Sequence, residues 1–279
     1  MTKNNIHSTA IIEPGAEIGE DVIIEPYAVI KENVKIKNRV TIKSHVYIDG
    51  HTTIDEGSVI YPYASIGTKT QDLKYRGEKT YVNIGKNTNI REFVSINSSC
   101  GEDTSVDVGD NCLIMAYCHI AHNCSVGNHV IMSNNATLAG HVTVEDYAII
   151  GGFTPLHQYV RIGRNAMVGG MSRVPKDVPP FTIGGGIPFR LAGLNLIGLK
   201  RAGFPLSTRQ LLTRAFKILF RSDFSIKEAL EIIENDLEPT PEILHFVNFC
   251  KNTRRGLMGI GEDREMETIE QKEEQLVGR

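Results

Sequence analysis

Isoleucine stands at positions 6, 12, 18, 24, 30, 36, 42, 48, 54, 60 and 66 without a break, each a multiple of six. The same register resumes at Ile84, Ile90 and Ile96. It runs again from Val108 and Ile114 through Val168 and Val174. A helix has a period of 3.6 and cannot hold this phase. Two residues before each aliphatic position the side chain is small or β-branched, as at Ala10, Ala16, Val22, Ala28 and Val34. Residues two apart on a strand share a face, so both sets point inward. Glycine often follows the aliphatic residue, as at Gly19, Gly85, Gly109, Gly127 and Gly163. Its place there predicts a tight corner that needs an unhindered backbone. A short strand, a corner and a repeat of six describe one side of a triangular coil. Three such sides close one turn, so position i stacks on position i+18. The pattern predicts a mainly β fold, a left-handed parallel β-helix, which departs from the usual right-handed crossover.

Two segments break the repeat. Between Ile66 and Ile84 the hexad sites hold Asp72 and Glu78, which predicts a loop over 68–83. A second loop is predicted over 98–107. After Val178 the hexads stop at Pro179-Pro180 and Gly184-Gly185-Gly186, so the β-helix is expected over 1–188. A small α-helical domain is expected over 189–258. Ser207 with Gln210 and Ser225 with Glu228 read as capping boxes. Leu211, Leu212, Ala215, Phe216 and Leu219 form an apolar stripe, and Thr240-Pro241 opens a further helix. Residues 259–279 read as a polar, acidic tail.

Composition narrows the class. Apolar residues make up 41% and charged residues 23% of the chain, as in ordinary globular proteins. No run of about 18 or more apolar residues occurs, so no membrane span is expected. The start MTKNNIHSTA carries no apolar leader. The five cysteines form no CxxC pair, which fits a reduced, cytoplasmic setting. Cys112, Cys118 and Cys124 fall in the inward register and read as small buried hydrophobes. Residues 161–221 hold eleven Lys or Arg against one acid, Asp177, giving +10 in a chain of net charge −3. Such a segment suits a polyanionic partner, a diphosphate or an acidic protein. No aromatic-basic motif accompanies it, and no nucleic acid is expected.

By the stacking rule His122 lies over Gly140, and Gly140 over Gln158, with His141 and His157 beside them. None is in the inward register. A neutral imidazole on such an edge suits general-base catalysis, and a backbone N–H near Gly140 suits a developing oxyanion. No serine or cysteine nucleophile sits in the column, so direct attack by a substrate hydroxyl or amine fits best. Clustered histidines also suggest zinc, but His119 and His122 are only three apart. No metal and no cofactor are expected.

At these residues the chain resembles the UDP-N-acetylglucosamine O-acyltransferases, which begin lipid A synthesis. The matching segments are His119-Ile-Ala-His122-Asn-Cys124, Asn134-Asn-Ala-Thr-Leu-Ala-Gly-His141 and Gly151-Gly-Phe-Thr-Pro-Leu-His157-Gln158. Asp177-Val-Pro-Pro180, Gly198-Leu-Lys-Arg201 and Gln71-Asp72-Leu-Lys74-Tyr continue the likeness, which covers about residues 6–258. The resemblance implies a homotrimer with sites between subunits. It implies acyl transfer from acyl carrier protein to the sugar 3-hydroxyl of UDP-N-acetylglucosamine. It makes His122 the general base and the Gly140 amide the oxyanion donor. Gln71, Asp72, Lys74, His119, His141, His157, Gln158, Asn195 and Arg201 become substrate contacts, and Gly170 the gauge of acyl length. Gly170 does not stack on His122: their separation is not a whole number of coils, so it lies on a different edge. Where the family pattern has Asp after the catalytic histidine, this chain has Asn123, which can hydrogen-bond but carries no charge. Ile197 replaces a Glu near the uridine, and Ala202 a second basic residue. A UDP-sugar N-acyltransferase and a coenzyme A-dependent acetyltransferase are the enzyme alternatives; a zinc hydratase and a non-catalytic scaffold are further ones.

Overall fold

The computed structural model describes residues 4–259. Short strands, most of them spanning just two positions, coil into a triangular prism with three parallel faces. Face I begins with Asn5–Ile6, face II with Ile11–Ile12 and face III with Glu17–Ile18, and each strand pairs with the one a coil later. Asn5 pairs with Ile23, an offset of 23 − 5 = 18, as the repeat requires. The multiples of six and the positions two before them fill the prism; Ile30, Ile60, Ile120, Val130 and Ala136 have no exposed surface. Each fully buried isoleucine contributes about 1.5–3 kcal/mol. The chain forms the expected left-handed parallel β-helix. Cys112, Cys118 and Cys124 are in this column, each thiol 3.1 Å from a carbonyl oxygen of the next coil. Burial pushes these thiols up to about 11, about 11 and about 12, so they stay protonated.

The corners are turned differently from the sequence expectation. The left-handed residue is the third after each aliphatic position and is rarely glycine: Tyr63, Tyr117, Asn123 and His141 have φ of 64°, 63°, 56° and 63°. That conformation costs about 1–2 kcal/mol. It is offset by a hydrogen bond to the coil below, as from His141 N–H to His122 O at 3.0 Å. The corner glycines answer to crowding instead. A Cβ on Gly109 would stand 2.6 Å from the Gly127 backbone of the next coil.

Both loops leave the corner between faces II and III. Tyr81 pairs with His51, an offset of 81 − 51 = 30, so the first loop lengthens its coil by 30 − 18 = 12. Ser105 pairs with Tyr81, an offset of 24, so the second lengthens its coil by 24 − 18 = 6. Strand residues reach into both expected loops: Ser65–Thr68 and Tyr81–Ile84 flank 69–80, and Ser95–Asn97 and Ser105–Val108 flank 98–104. Strand also passes residue 188, where Arg190–Leu194 pairs antiparallel with Thr182–Gly185 and closes face I.

Among the described residues four helices follow: α1 (Leu196–Arg201), α2 (Leu206–Phe220), α3 (Ile226–Asp236) and α4 (Pro241–Lys251). Ser225 and Glu228 form the expected capping box, and Thr240 caps α4 with Pro241 in its first turn. Ser207 and Gln210 form none, because α2 already begins at Leu206 and its N-cap is Pro205. The helices share a second core of Leu199, Leu212, Ala215, Leu219, Ile233 and Phe246. Asp177, 1% exposed, ties them to the prism. Its carboxylate accepts from Arg161 Nε at 3.0 Å and Thr253 Oγ1 at 2.9 Å, while Arg161 donates to Phe249 O at 2.7 Å. Of the acidic tail expected over 259–279, residues 260–279 lie outside the described residues.

Candidate active site

The corner between faces II and III carries the expected histidine column. His122 is the second residue of its corner, Gly140 the second residue of the next, and Gln158 of the one after. A Cβ on Gly140 would stand 2.3 Å from His122 Cε1 and 2.4 Å from Nε2, so the missing side chain is what lets the imidazole lie over this backbone. Among the described residues no acceptor is paired with the Gly140 N–H. The His122 and His141 rings meet edge to face, centroids 5.2 Å apart, and Tyr159 stacks on His141 at 4.5 Å. Tyr159 follows His141 by one full coil, so the stacking rule contained this contact although the sequence reading did not single it out.

The loops complete the site. Asp72, on the 69–80 loop, places Oδ2 3.6 Å from His122 Nε2, with both side chains largely buried. Asp72 Oδ1 accepts from the Lys74 N–H at 2.8 Å. That bond, with the charges of His122 and Lys74, holds the carboxyl below the ordinary range. On its other side His122 Nδ1 lies 2.9 Å from Asn123 Oδ1. The Asn123 amide is anchored in turn on Cys100 of the 98–104 loop: Cys100 N–H donates to Oδ1 at 3.3 Å, and Nδ2 donates to Cys100 O at 3.1 Å. His119 projects from the strand below the same corner, 2.7 Å from Ser95 Oγ, and burial lowers its pKa. Burial also lowers His141, and the neighbouring His122 adds to this. Both therefore favour the neutral ring.

The other expected residues are not all here. Gln71 and Lys74 are exposed on the first loop, and His157 and Gln158 lie one coil above His141. Gly170 sits on the corner between faces I and II. A Cβ there would stand only 3.2 Å from Gly152 O. Asn195 caps α1 by accepting from Gly198 N–H at 3.1 Å, and donates to Asn165 O, on the corner between faces III and I, at 3.1 Å. Arg201 lines a cavity of about 540 Å³ with Leu196, Ile197, Lys200 and Arg209. One chain thus carries its expected site residues on three different edges. Part of the basic segment is also spent internally: Arg161 on Asp177, and Arg209, whose Nε donates to Phe204 O at 3.1 Å. No group of three or more His, Cys, Asp or Glu suited to a metal ion occurs among the described residues. No helix among them is long and apolar enough to cross a membrane.

Comparison with known proteins places this arrangement. Residues 105–140 match the bacterial transferase hexapeptide model, and residues 177–258 match the second domain of UDP-N-acetylglucosamine O-acyltransferase. The acyl-[acyl-carrier-protein]--UDP-N-acetylglucosamine O-acyltransferase of Chlamydia caviae is 54% identical over 98% of this chain and 99% of its own. This chain belongs to the UDP-N-acetylglucosamine O-acyltransferase family. Solved structures agree with that membership. The Campylobacter jejuni UDP-N-acetylglucosamine acyltransferase is 41% identical, covers 92% of this chain and 100% of its own, and superposes with a TM-score of 0.87. The Francisella novicida enzyme is 35% identical over 92% of this chain and 95% of its own, with a TM-score of 0.90.

Proposed function

We propose that the chain transfers a fatty acyl group, 3-hydroxylated or plain, from acyl carrier protein to the 3-hydroxyl of UDP-N-acetylglucosamine, the first step of lipid A synthesis, and that it works in the cytoplasm as a homotrimer. The names of its relatives support the donor, the acceptor and the reaction. The observation that carries the mechanism is the seat of the His122 ring over Gly140 with Asp72 at 3.6 Å from Nε2. The sugar 3-hydroxyl gives its proton to Nε2 as its oxygen attacks the thioester carbonyl. The Gly140 N–H donates to the oxyanion that forms. The carbon–sulfur bond then breaks, the imidazolium returns the proton to the departing thiol, and the acylated sugar leaves. Between the two steps the charged ring faces the Asp72 carboxylate. General-base and oxyanion assistance together supply about four to seven powers of ten in rate.

Gln71, Lys74, His119, His141, His157 and Gln158 are the proposed substrate contacts on this corner. Asn195 and Arg201 act at a neighbouring subunit's side of the site, and Gly170 limits acyl length. The spread of these residues over three edges of one chain supports a site closed between copies. The test is a panel of acyl carrier protein and coenzyme A thioesters with UDP-N-acetylglucosamine, products read by mass. Acyl carrier protein donors are expected to give a sugar heavier by one acyl group. Equal rates with coenzyme A would point to the acetyltransferase alternative, and no product with any donor would refute the reading.

A further inference from the structure

The neighbour of His122 is an amide, and its orientation is fixed from outside the corner. The Asn123 amide meets a single peptide unit, Cys100, with both ends: Oδ1 takes the Cys100 N–H at 3.3 Å and Nδ2 donates to Cys100 O at 3.1 Å. Turned over, the amide would set donor against donor and acceptor against acceptor. Oδ1 therefore faces His122 Nδ1, 2.9 Å away, and has no hydrogen to give. The proton of that contact must sit on Nδ1. In a neutral ring this leaves the lone pair on Nε2, the nitrogen that looks toward Asp72. Asn123 holds this pose with φ at 56°. Asparagine tolerates that left-handed conformation.

We propose that Asn123, clamped by the Cys100 peptide, is a positioning residue that fixes His122 as the Nδ1–H tautomer, so that Nε2 is the base without a carboxylate behind the ring. The short insertion that forms the 98–104 loop then has a role: it carries the peptide that locks the amide. The carboxylate of this site stands on the substrate side instead, Asp72 at the far nitrogen. The other ionisable groups facing this pair are His141 on the next coil, Lys74 on the first loop and the Cys100 thiol on the second. The kinetic part of this inference rests on the acyl-transfer reading; the tautomer does not.

Two measurements on the full chain separate them. Nitrogen NMR of histidine-labelled protein, with His122→Ala to assign the signal, reads the tautomer directly. The Nδ1–H form is expected in the wild type, with loss of that preference in Asn123→Leu. An Nε2–H ring in the wild type, or an unchanged tautomer in Asn123→Leu, would overturn the proposal whether or not the chain turns over any substrate. In kinetics, Asn123→Leu is expected to lower kcat roughly 10- to 100-fold with little change in KM, a part of the about 10²–10⁴-fold general-base effect. Asn123→Asp keeps an acceptor at Nδ1 and adds charge. It should stay active, with the acid limb of its kcat/KM profile moved to higher pH. It also serves if the leucine variant fails to fold, because its acceptor at Nδ1 should keep the Nδ1–H tautomer, and an Nε2–H ring in this variant would overturn the proposal as well. Wild-type inactivity with the Nδ1–H ring present would refute the acyl-transfer reading alone.

Discussion

Two edges of the prism share one backbone and differ in what they do. On the corner between faces I and II the left-handed third residues of five successive coils are Tyr27, His45, Tyr63, Phe93 and Tyr117. Their rings stack on successive coils with centroids 5.1, 5.0, 5.0 and 4.8 Å apart. On three successive coils of the corner between faces II and III the same position holds Asn123, His141 and Tyr159, at φ of 56°, 63° and 65°. The difference lies in the second corner residue and in the loops. Pro26, Ser44, Pro62, Glu92 and Ala116 precede the aromatic ladder, whereas His122, Gly140 and Gln158 form the other column. Only the latter corner throws out the 69–80 and 98–104 loops, and these bring Asp72 and Cys100 to His122 and Asn123. His45 and His122 are thus the same residue type on one scaffold. One ring is held flat between two tyrosines; the other stands edge-on to a second imidazole and faces a carboxylate.

The sharpest way to break this contrast is to remove each histidine. His122→Ala is expected to lower kcat by about 10²–10⁴-fold, while His45→Ala leaves kcat unchanged; steady-state rates on both variants check this. Gly140→Ala comes next. Its Cβ must push the His122 ring aside. A displacement of about 1 Å costs on the order of 10²-fold in rate. Its Tm should stay near the wild-type value, because the corner lies outside the core. Phe93→Ala tests the other edge. It removes two stacked pairs. Together these are worth about 1–3 kcal/mol, so thermal stability should fall while the rate stays intact.

The smallest effect is in pH. The folded Asp72 carboxyl is held low, first by the Lys74 N–H. The stabilisation it gives is therefore complete above its unfolded value and is lost as pH falls through the folded one. His141 is held low by burial. Charging it on acidification also disfavours the folded corner, beginning as pH falls past the ordinary histidine value. Both act in the same direction. The protection factors of amides in the 69–80 loop, the intrinsic exchange rate at each pH divided by the observed one, should therefore fall on acidification, from the histidine range down to the carboxylate range, and not on raising pH above neutrality.

The prism and its histidine column could be read from sequence because burial repeats. An inward isoleucine at every sixth position fixes the faces, and the same arithmetic sets His122 on Gly140 and His141 beneath Tyr159. The arithmetic fails where the chain leaves the coil. The two insertions remove the register, so the approach of Asp72 to His122 and of Cys100 to Asn123 had no periodic signal. Local signals also misled. Corner glycines suggested the tight turn, yet crowding by the next coil explains Gly109, and aromatic, asparagine and histidine residues take the left-handed position instead. Ser207 and Gln210 have the spacing of a capping box, but α2 starts at Leu206, ahead of Ser207. The short α1 carries no long apolar period, and it is held by the Asn195 cap and by Leu199 in the helical core.

At the centre of the account is direct attack: a histidine base lets the sugar hydroxyl take the acyl group with no acylated protein in between. The most direct test is to mix the chain with acyl carrier protein thioester, add UDP-N-acetylglucosamine, and record the masses of protein and sugar in the same tube. The account predicts a sugar heavier by one acyl group and a protein of unchanged mass before and after the sugar is added. An acylated protein that forms without the sugar and then passes its group to it would contradict the account.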